Sequence, residues 1–287
     1  MLKPSGSALV CGIIGHPVAH SLSPWMQQRF AEQTGMDFLY APFPVAPAAL
    51  PAAIRGLQAL GVRGVNVTIP HKEAVLPFLE EASAMVQAVG AANTLLFADG
   101  KIHGENTDVT GFARAIGRHT GARAAGASLV IGAGGAARAV LHALAIAGAT
   151  PIYLANRTLV RAEALAAEFA ALPIRPLPLT RDALTPLLGD LQLVVNTSSR
   201  GLHGEDHPEL ALERMPKTGI VCDIVYKPLQ TPLLAAAEAQ GLRCVDGLGM
   251  LVAQGAESFR IWTGQVPDTD AVEEAMRTWL STPKASR

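Results

Sequence analysis

The chain has 287 residues, 49% of them hydrophobic and 16% charged, with a formal net charge of −1. That is enough for one or two packed domains and too apolar for a disordered chain, and it lacks the basic field that would recruit nucleic acid or an anionic membrane. With no export leader, no apolar run of about 18 residues and no paired spacing among Cys11, Cys222 and Cys244, a cytoplasmic protein with buried free thiols is expected.

In chain order, Ala8–Ile14 reads as a buried strand, Pro24–Thr34 as a helix and Phe38–Val45 as a second strand. A Pro/Ala-rich helix runs to Leu60, and Gly64–Thr68 is a third strand. Pro70 suits the first turn of a helix to about Glu81. Thr94–Phe97 and Lys101–His103 form a hairpin, because Asp99-Gly100 suits a type I′ turn. Asn106-Thr107-Asp108 opens a helix over Val109–Arg118, and the Gly/Ala-rich Gly117–Gly126 reads as a domain junction. Strands follow at Ala127–Ile131, Pro151–Ala155, Ile174–Leu179, Leu191–Val195, Ile220–Val225 and Arg243–Val245. Helices span Leu248–Thr263 and Thr269–Leu280. Alternating strands and helices imply an α/β protein with mostly parallel sheets.

Gly132-Ala133-Gly134-Gly135-Ala136-Ala137 follows the Ala127 strand and opens a helix to Gly148. This is the G-x-G-x-x-A form of the dinucleotide fingerprint, whose glycines let backbone N–H groups approach a pyrophosphate at a helix N-terminus. A NAD site carries an acidic residue roughly 20 residues further on. Here that place holds Asn156 and Arg157, with Arg161 one helical turn later. Guanidinium groups without a carboxylate suit a 2′-phosphate, so the cofactor is read as NADP.

Lys72 and Asp108 are the candidate acid/base groups. In the first turn of a helix begun at Pro70, a lysine opposes the macrodipole at about 0.3–1 kcal/mol and would have a pKa suited to proton transfer. Asp108 taken alone reads first as a helix N-cap; beside Lys72 it would hold the ammonium and share the proton of a reacting alcohol. Ser21, Ser23, Asn66, Thr68, Asn93, Thr94 and Asn106 lie at strand and loop ends, as caps or as ligands. Asn66-Val67-Thr68 ends a parallel strand, where open sheets bind ligands, and Tyr226 follows another strand. Such a set suits a small polyhydroxylated acid. His16 and His20, four apart around Pro17, read as loop residues, and no metal site is expected.

The motifs His20-Ser-Leu-Ser-Pro24, Asn66-Val-Thr-Ile-Pro-His-Lys72, Gly90-Ala-Ala-Asn-Thr94, Asn106-Thr-Asp108, Gly132-Ala-Gly-Gly-Ala136, Asn156-Arg-Thr158, Asp223-Ile-Val-Tyr-Lys-Pro228 and Asp246-Gly-Leu-Gly-Met250 through Gln254 stand in one order from about residue 9 to 264. Together they resemble the shikimate dehydrogenase family. The resemblance implies that Ser21 and Ser23, assisted by Tyr226, hold a substrate carboxylate. It implies that Asn66, Thr68, Asn93 and Gln254 contact substrate hydroxyls, with Lys72 and Asp108 at the reacting one. Asn156, Arg157, Thr158 and Arg161 would surround the 2′-phosphate. Gly247 and Met250 would lie by the nicotinamide, with Thr197 and Val225 completing the cofactor set.

It also implies a two-domain α/β fold with a cleft between a substrate domain (1–108 plus 248–287) and a Rossmann NADP domain (109–247). The expected reaction is reversible, NADP-dependent oxidation of the shikimate C3 hydroxyl, run physiologically as reduction of 3-dehydroshikimate towards chorismate and the aromatic amino acids. A quinate/shikimate dehydrogenase is the enzymatic alternative and an NADPH-sensing protein the non-enzymatic one; retention of Lys72 and Asp108 argues against the sensor. A monomer or homodimer with small-molecule partners alone is expected. Gln27-Gln28, Glu105 and Val109 depart from the usual family pattern.

Overall fold

Each half of the chain is built on its own sheet. The computed structural model describes residues 4–120 and 126–282. The chain divides into two units, Met1–Gly111 with Val252–Thr278 and Phe112–Leu251 with Trp279–Arg287. Residues 121–125 of the expected Gly117–Gly126 junction lie outside the described residues.

In the first unit, β1 (Leu9–Gly15), α1 (Ser23–Thr34), β2 (Phe38–Pro44), α2 (Leu50–Ala59) and β3 (Gly64–Val67) follow the alternation of the sequence. Then come β4 (Glu81–Ala82), α3 (Ala84–Val89), β5 (Thr94–Ala98) and β6 (Lys101–Glu105), and α4 (Asp108–Thr120) carries the chain into the second unit at Phe112. The strands lie in the order β2-β1-β3-β5-β6-β4. β1 pairs in parallel with β2 and β3, whereas β5 runs antiparallel to β3 and β6. The β5–β6 turn has positive φ at both Asp99 and Gly100, as a type I′ turn requires. Every residue of β3 is buried, so its apolar run is covered on both faces and its end delivers Asn66 and Thr68.

The expected helix over Pro70–Glu81 is absent. The chain instead makes turns at 72–75 and a short 3₁₀ segment, Leu76–Phe78. One helical bond forms, from Val75 N to His71 O (3.0 Å), followed by i→i+3 bonds at Leu76, Phe78 and Leu79. Pro77 is the physical reason: it has no N–H to donate, and in an α-helix its ring would strike the carbonyl of Glu73. Lys72 therefore does not sit in the first turn of an α-helix, and the macrodipole penalty read from the sequence does not apply.

The second unit starts with β7 (Ser128–Ile131), α5 (Gly135–Ile146), β8 (Ile152–Asn156) and α6 (Leu159–Glu168). It continues through β9 (Ile174–Pro178), α7 (Arg181–Leu184), β10 (Leu193–Asn196), β11 (Ile220–Asp223), α8 (Pro232–Ala239) and β12 (Arg243–Val245). Its strands are all parallel, in the order β12-β11-β10-β7-β8-β9. Renumbered within the unit, this is 6-5-4-1-2-3, the doubly wound dinucleotide-binding order with its switch point between β7 and β10. Leu129, Ile131, Val194 and Val221 bury its core. β11 ends at Asp223 rather than Val225, because Val225 N turns back to Asp223 Oδ1 (3.0 Å). The helix α9 (Leu248–Thr263) returns the chain to the first unit at Val252, and α10 (Thr269–Ser281) follows.

Candidate active site and cofactor cradle

In the first unit, Lys72 Nζ donates to Asp108 Oδ2 at 2.6 Å, the two side chains being 15% and 6% exposed. Lys72 is placed by turns, and Asp108 is the first residue of α4. His71 Nε2 meets Val45 O at 2.7 Å, and Lys72 O accepts from Ala92 N at 2.8 Å, fixing the turn on both sides. The other oxygen of Asp108 accepts from Asn93 Nδ2 at 2.9 Å. The carboxylate is thus held by two donors, and this role replaces the N-cap alternative.

Asn93 is the hub. Its Oδ1 accepts from Thr107 N (2.7 Å), with the Thr94 and Thr107 hydroxyls each at 3.2 Å. Its Nδ2 also lies 2.9 Å from Thr107 Oγ1 and 3.3 Å from Gln254 Oε1. An acceptor crowded by donors can only be the carbonyl oxygen, so the amide must turn its N–H groups to Asp108. Asn66 joins the cluster through Nδ2, which lies 3.3 Å from Asn93 O and 2.9 Å from Ser258 Oγ.

Ser21 and Ser23 sit at the start of α1, where Ser21 Oγ accepts from Ser23 N at 3.2 Å. That leaves the Ser21 proton to donate elsewhere. Thr68 follows β3 directly, its N–H bonded to Ile14 O at 2.9 Å. Lys72, Asp108, Asn93, Gln254 and Asn66 are therefore linked by side-chain bonds, while Tyr226 belongs to the second unit, just past β11. Tyr40, whose hydroxyl donates to Asn66 Oδ1 at 2.7 Å, and Ser258 were missed by sequence reasoning. Ser258 carried one faint signal, its place one helical turn after Gln254. Of the departures, Gln27 is buried and donates to Gly255 O at 2.9 Å, and Val109 is buried in α4.

In the second unit, β7 ends at Ile131 and Gly132 turns the chain with φ +104°, a value that favours glycine. A Cβ there would stand 2.9 Å from Thr197 Oγ1 and 3.2 Å from Ser198 N. Thr197 closes the turn by donating N and Oγ1 to Ile131 O, at 2.8 and 2.7 Å. Gly134 is the N-cap of α5, and a Cβ there would meet nothing within 4 Å. Ala133, Gly135 and Ala136 are half-buried around it, and the first turn of α5 carries no acidic residue. The open backbone at a positive helix end fits a pyrophosphate.

Past β8, Asn156 Nδ2 donates to Thr158 O at 2.8 Å, and Arg157, Thr158 and Arg161 are exposed. Two such guanidinium side chains with no carboxylate among residues 156–162 fit a phosphomonoester better than a bare ribose. On the other side of the switch point, Val225 is buried and Gly247 N approaches its carbonyl at 3.4 Å, ahead of the buried Met250. Asp223 organises these ends, accepting from Asn196 Nδ2 (2.9 Å), Val225 N (3.0 Å) and Thr231 Oγ1 (2.7 Å). Burial raises its pKa above the usual carboxylate range, against the pull of those donors.

Comparison with known proteins agrees with both halves. Residues 13–95 match the shikimate dehydrogenase substrate binding domain, residues 117–224 the shikimate / quinate 5-dehydrogenase model, and residues 247–277 the shikimate 5'-dehydrogenase C-terminal domain. A curated shikimate dehydrogenase (NADP(+)) of Geobacter sp. strain M21 is 46% identical, over 97% of this chain and 98% of its own length. A shikimate dehydrogenase crystallised with NADP+ superposes with a TM-score of 0.89 at 35% identity, covering 98% of each chain. The Thermus thermophilus enzyme in complex with NADP(H) and shikimate has a TM-score of 0.81 at 41% identity, over 94% of this chain and 99% of that one.

Proposed function

The chain belongs to the shikimate dehydrogenase family, and we propose that Lys72 and Asp108 move the proton in its NADP-dependent interconversion of shikimate and 3-dehydroshikimate. The observation that carries this reading is the 2.6 Å Lys72–Asp108 pair, held from the far side by Asn93. Bound NADP supplies the hydride acceptor or donor for C3 of the substrate. In reduction, the C3 carbonyl oxygen gains negative charge as hydride arrives, and the Lys72 ammonium is the donor for it. Asp108 keeps that ammonium in place and balances its charge until the proton is transferred, which leaves Lys72 a neutral amine. In oxidation the same proton returns to Lys72.

Ser21, Ser23 and Tyr226 take the substrate carboxylate as hydroxyl donors, and Asn66, Thr68, Asn93 and Gln254 select its ring hydroxyls. Gly132, Gly134 and the first turn of α5 offer backbone N–H groups to the pyrophosphate. Arg157 and Arg161, with Asn156 and Thr158, choose NADP over NAD. Thr197, Val225, Gly247 and Met250 shape the nicotinamide end. We read residues 1–108 with 248–287 as the substrate domain and 109–247 as the cofactor domain. Three free cysteines, one of them half-buried, support a cytoplasmic setting. Every residue of the proposed proton step comes from one chain, so monomer and homodimer serve equally.

Steady-state rates with shikimate and with quinate, each with NADP and NAD, test the reading. Turnover of shikimate with NADP should dominate. Turnover of neither acid would overturn it, and equal kcat/KM for both acids would make this a quinate/shikimate dehydrogenase.

A further inference from the structure

Tyr40, the third residue of β2, is buried and has no part in the reaction described above. Its ring lies between those of Phe38 and Trp262, at centroid distances of 6.4 and 6.1 Å. Its hydroxyl is the feature that packing does not explain. It donates to Asn66 Oδ1 at 2.7 Å. The buried phenol thereby touches a residue of β3 that is assigned to the substrate.

The surroundings leave the Asn66 amide one orientation. Asn93 O, 3.3 Å from Nδ2, can only accept. Ser258 Oγ, 2.9 Å from Nδ2, is itself 3.0 Å from Gln254 O, another acceptor that takes the serine proton. Thr94 Oγ1 lies 3.3 Å from the same nitrogen. Both amide protons of Asn66 are thus directed inward, and Oδ1 must receive the Tyr40 proton. The capacity left to Asn66 is the second lone pair of Oδ1.

We infer that Tyr40 is a positioning residue for substrate binding: with Ser258 it locks the Asn66 carboxamide so that Asn66 meets the substrate only through Oδ1, as an acceptor for a ring hydroxyl. This rests on Asn66 being a substrate contact. It explains why a phenol is buried here at all. A phenylalanine would fill the same space between Phe38 and Trp262 but would leave Oδ1 without its donor, so that only the inward bonds of Nδ2 held the amide. It also separates Asn66 from Ser21, whose free proton makes it a donor, so the two ends of the ligand are read by groups of opposite sense.

The test is a double-mutant cycle on purified enzyme, with KM for shikimate, KM for NADP and kcat read separately. Tyr40→Phe should raise KM for shikimate about three- to tenfold, the range for one hydrogen bond, with kcat within about twofold and KM for NADP unchanged. In an Asn66→Ala background, Tyr40→Phe should add nothing, because the group it positions is gone. Ser258→Ala works from the other end of the amide and should raise the same KM, again only while Asn66 is present. It gives the answer if Tyr40→Phe does not fold. Clean multiplication of the Tyr40 and Asn66 effects, an unchanged KM for shikimate in Tyr40→Phe, or equal rises in both KM values would overturn the proposal. Absence of turnover by the unmodified protein would instead overturn the functional reading on which it rests.

Discussion

Asp108 accepts from Lys72 on one oxygen and from Asn93 on the other, and that two-sided hold makes the pair separable from a surface ion pair by experiment. An exposed pair is worth little, about 0–1 kcal/mol. This one is largely withdrawn from water, and each group would be left uncompensated without the other. Lys72→Ala should lower kcat by about 10²–10⁴, with KM for shikimate moving less, and Lys72→Met should behave alike because it keeps the bulk and removes the proton. Asp108→Asn turns an acceptor into an amide that must face either the ammonium or the Asn93 amide with its own N–H groups, and should also lose chiefly kcat. The double variant should be little worse than the worse single one, since groups acting as a unit are not additive. Losses that multiply would make the residues independent, and a near-normal kcat in Lys72→Ala would take the proton transfer away from Lys72.

Among the elements, the junction of β12 and α9 is a tight place beside the proposed nicotinamide end. A Cβ on Gly247 would lie 2.1 Å from Ile224 O, a backbone atom that cannot swing aside as a side-chain tip can. Gly247→Ala should therefore push the β11 end away from α9, destabilising by about 1–3 kcal/mol, or about 2–4 °C of Tm per kcal/mol in a unit of this size. KM for NADP should rise while KM for shikimate stays put; scanning calorimetry and initial rates check both, and an unchanged Tm would mean the loop moves freely. The same scale shows what local pattern could reveal. Strands such as β3 and β7, buried throughout, stood out as apolar runs, and Asp99-Gly100 named its own turn. The helix expected from Pro70 does not form because Pro77, seven residues on, cannot donate within it. The six-residue α3 was too short for periodicity, although its caps were present: Ser83 accepts from Val86 N at 3.2 Å, and Gly90 turns at φ 66°. Most of the proposed site residues stand in spaced motifs and could be singled out from the sequence. Their pairing could not: Tyr40 and Ser258 lie 26 and 192 residues from Asn66, and nothing local marks such a meeting.

At the scale of the whole molecule, the residues proposed for each ligand sort almost entirely by unit. Lys72, Asn93, Asp108 and Gln254 fall in the first, and the Gly132 turn with Asn156–Arg161 in the second. Tyr226 is the exception, a proposed carboxylate ligand carried by the second unit. A ligand that binds only the folded state stabilises by RT ln(1 + [L]/Kd), about 2.7 kcal/mol at a hundredfold excess over Kd, and slows exchange of the amides it closes over. NADP alone should therefore slow hydrogen exchange in 130–137, 156–162 and 196–198. Shikimate alone should slow it in 64–72 and 92–108 and, if Tyr226 takes part, in the single stretch 224–227 of the second unit. Exchange measured by mass spectrometry on the intact enzyme, with each ligand singly, reads all of these at once. Shikimate protecting the Gly132 turn while leaving 92–108 unchanged would reverse the assignment of units. Protection of 64–108 without 224–227 would remove Tyr226 from the substrate site and leave the carboxylate to Ser21 and Ser23.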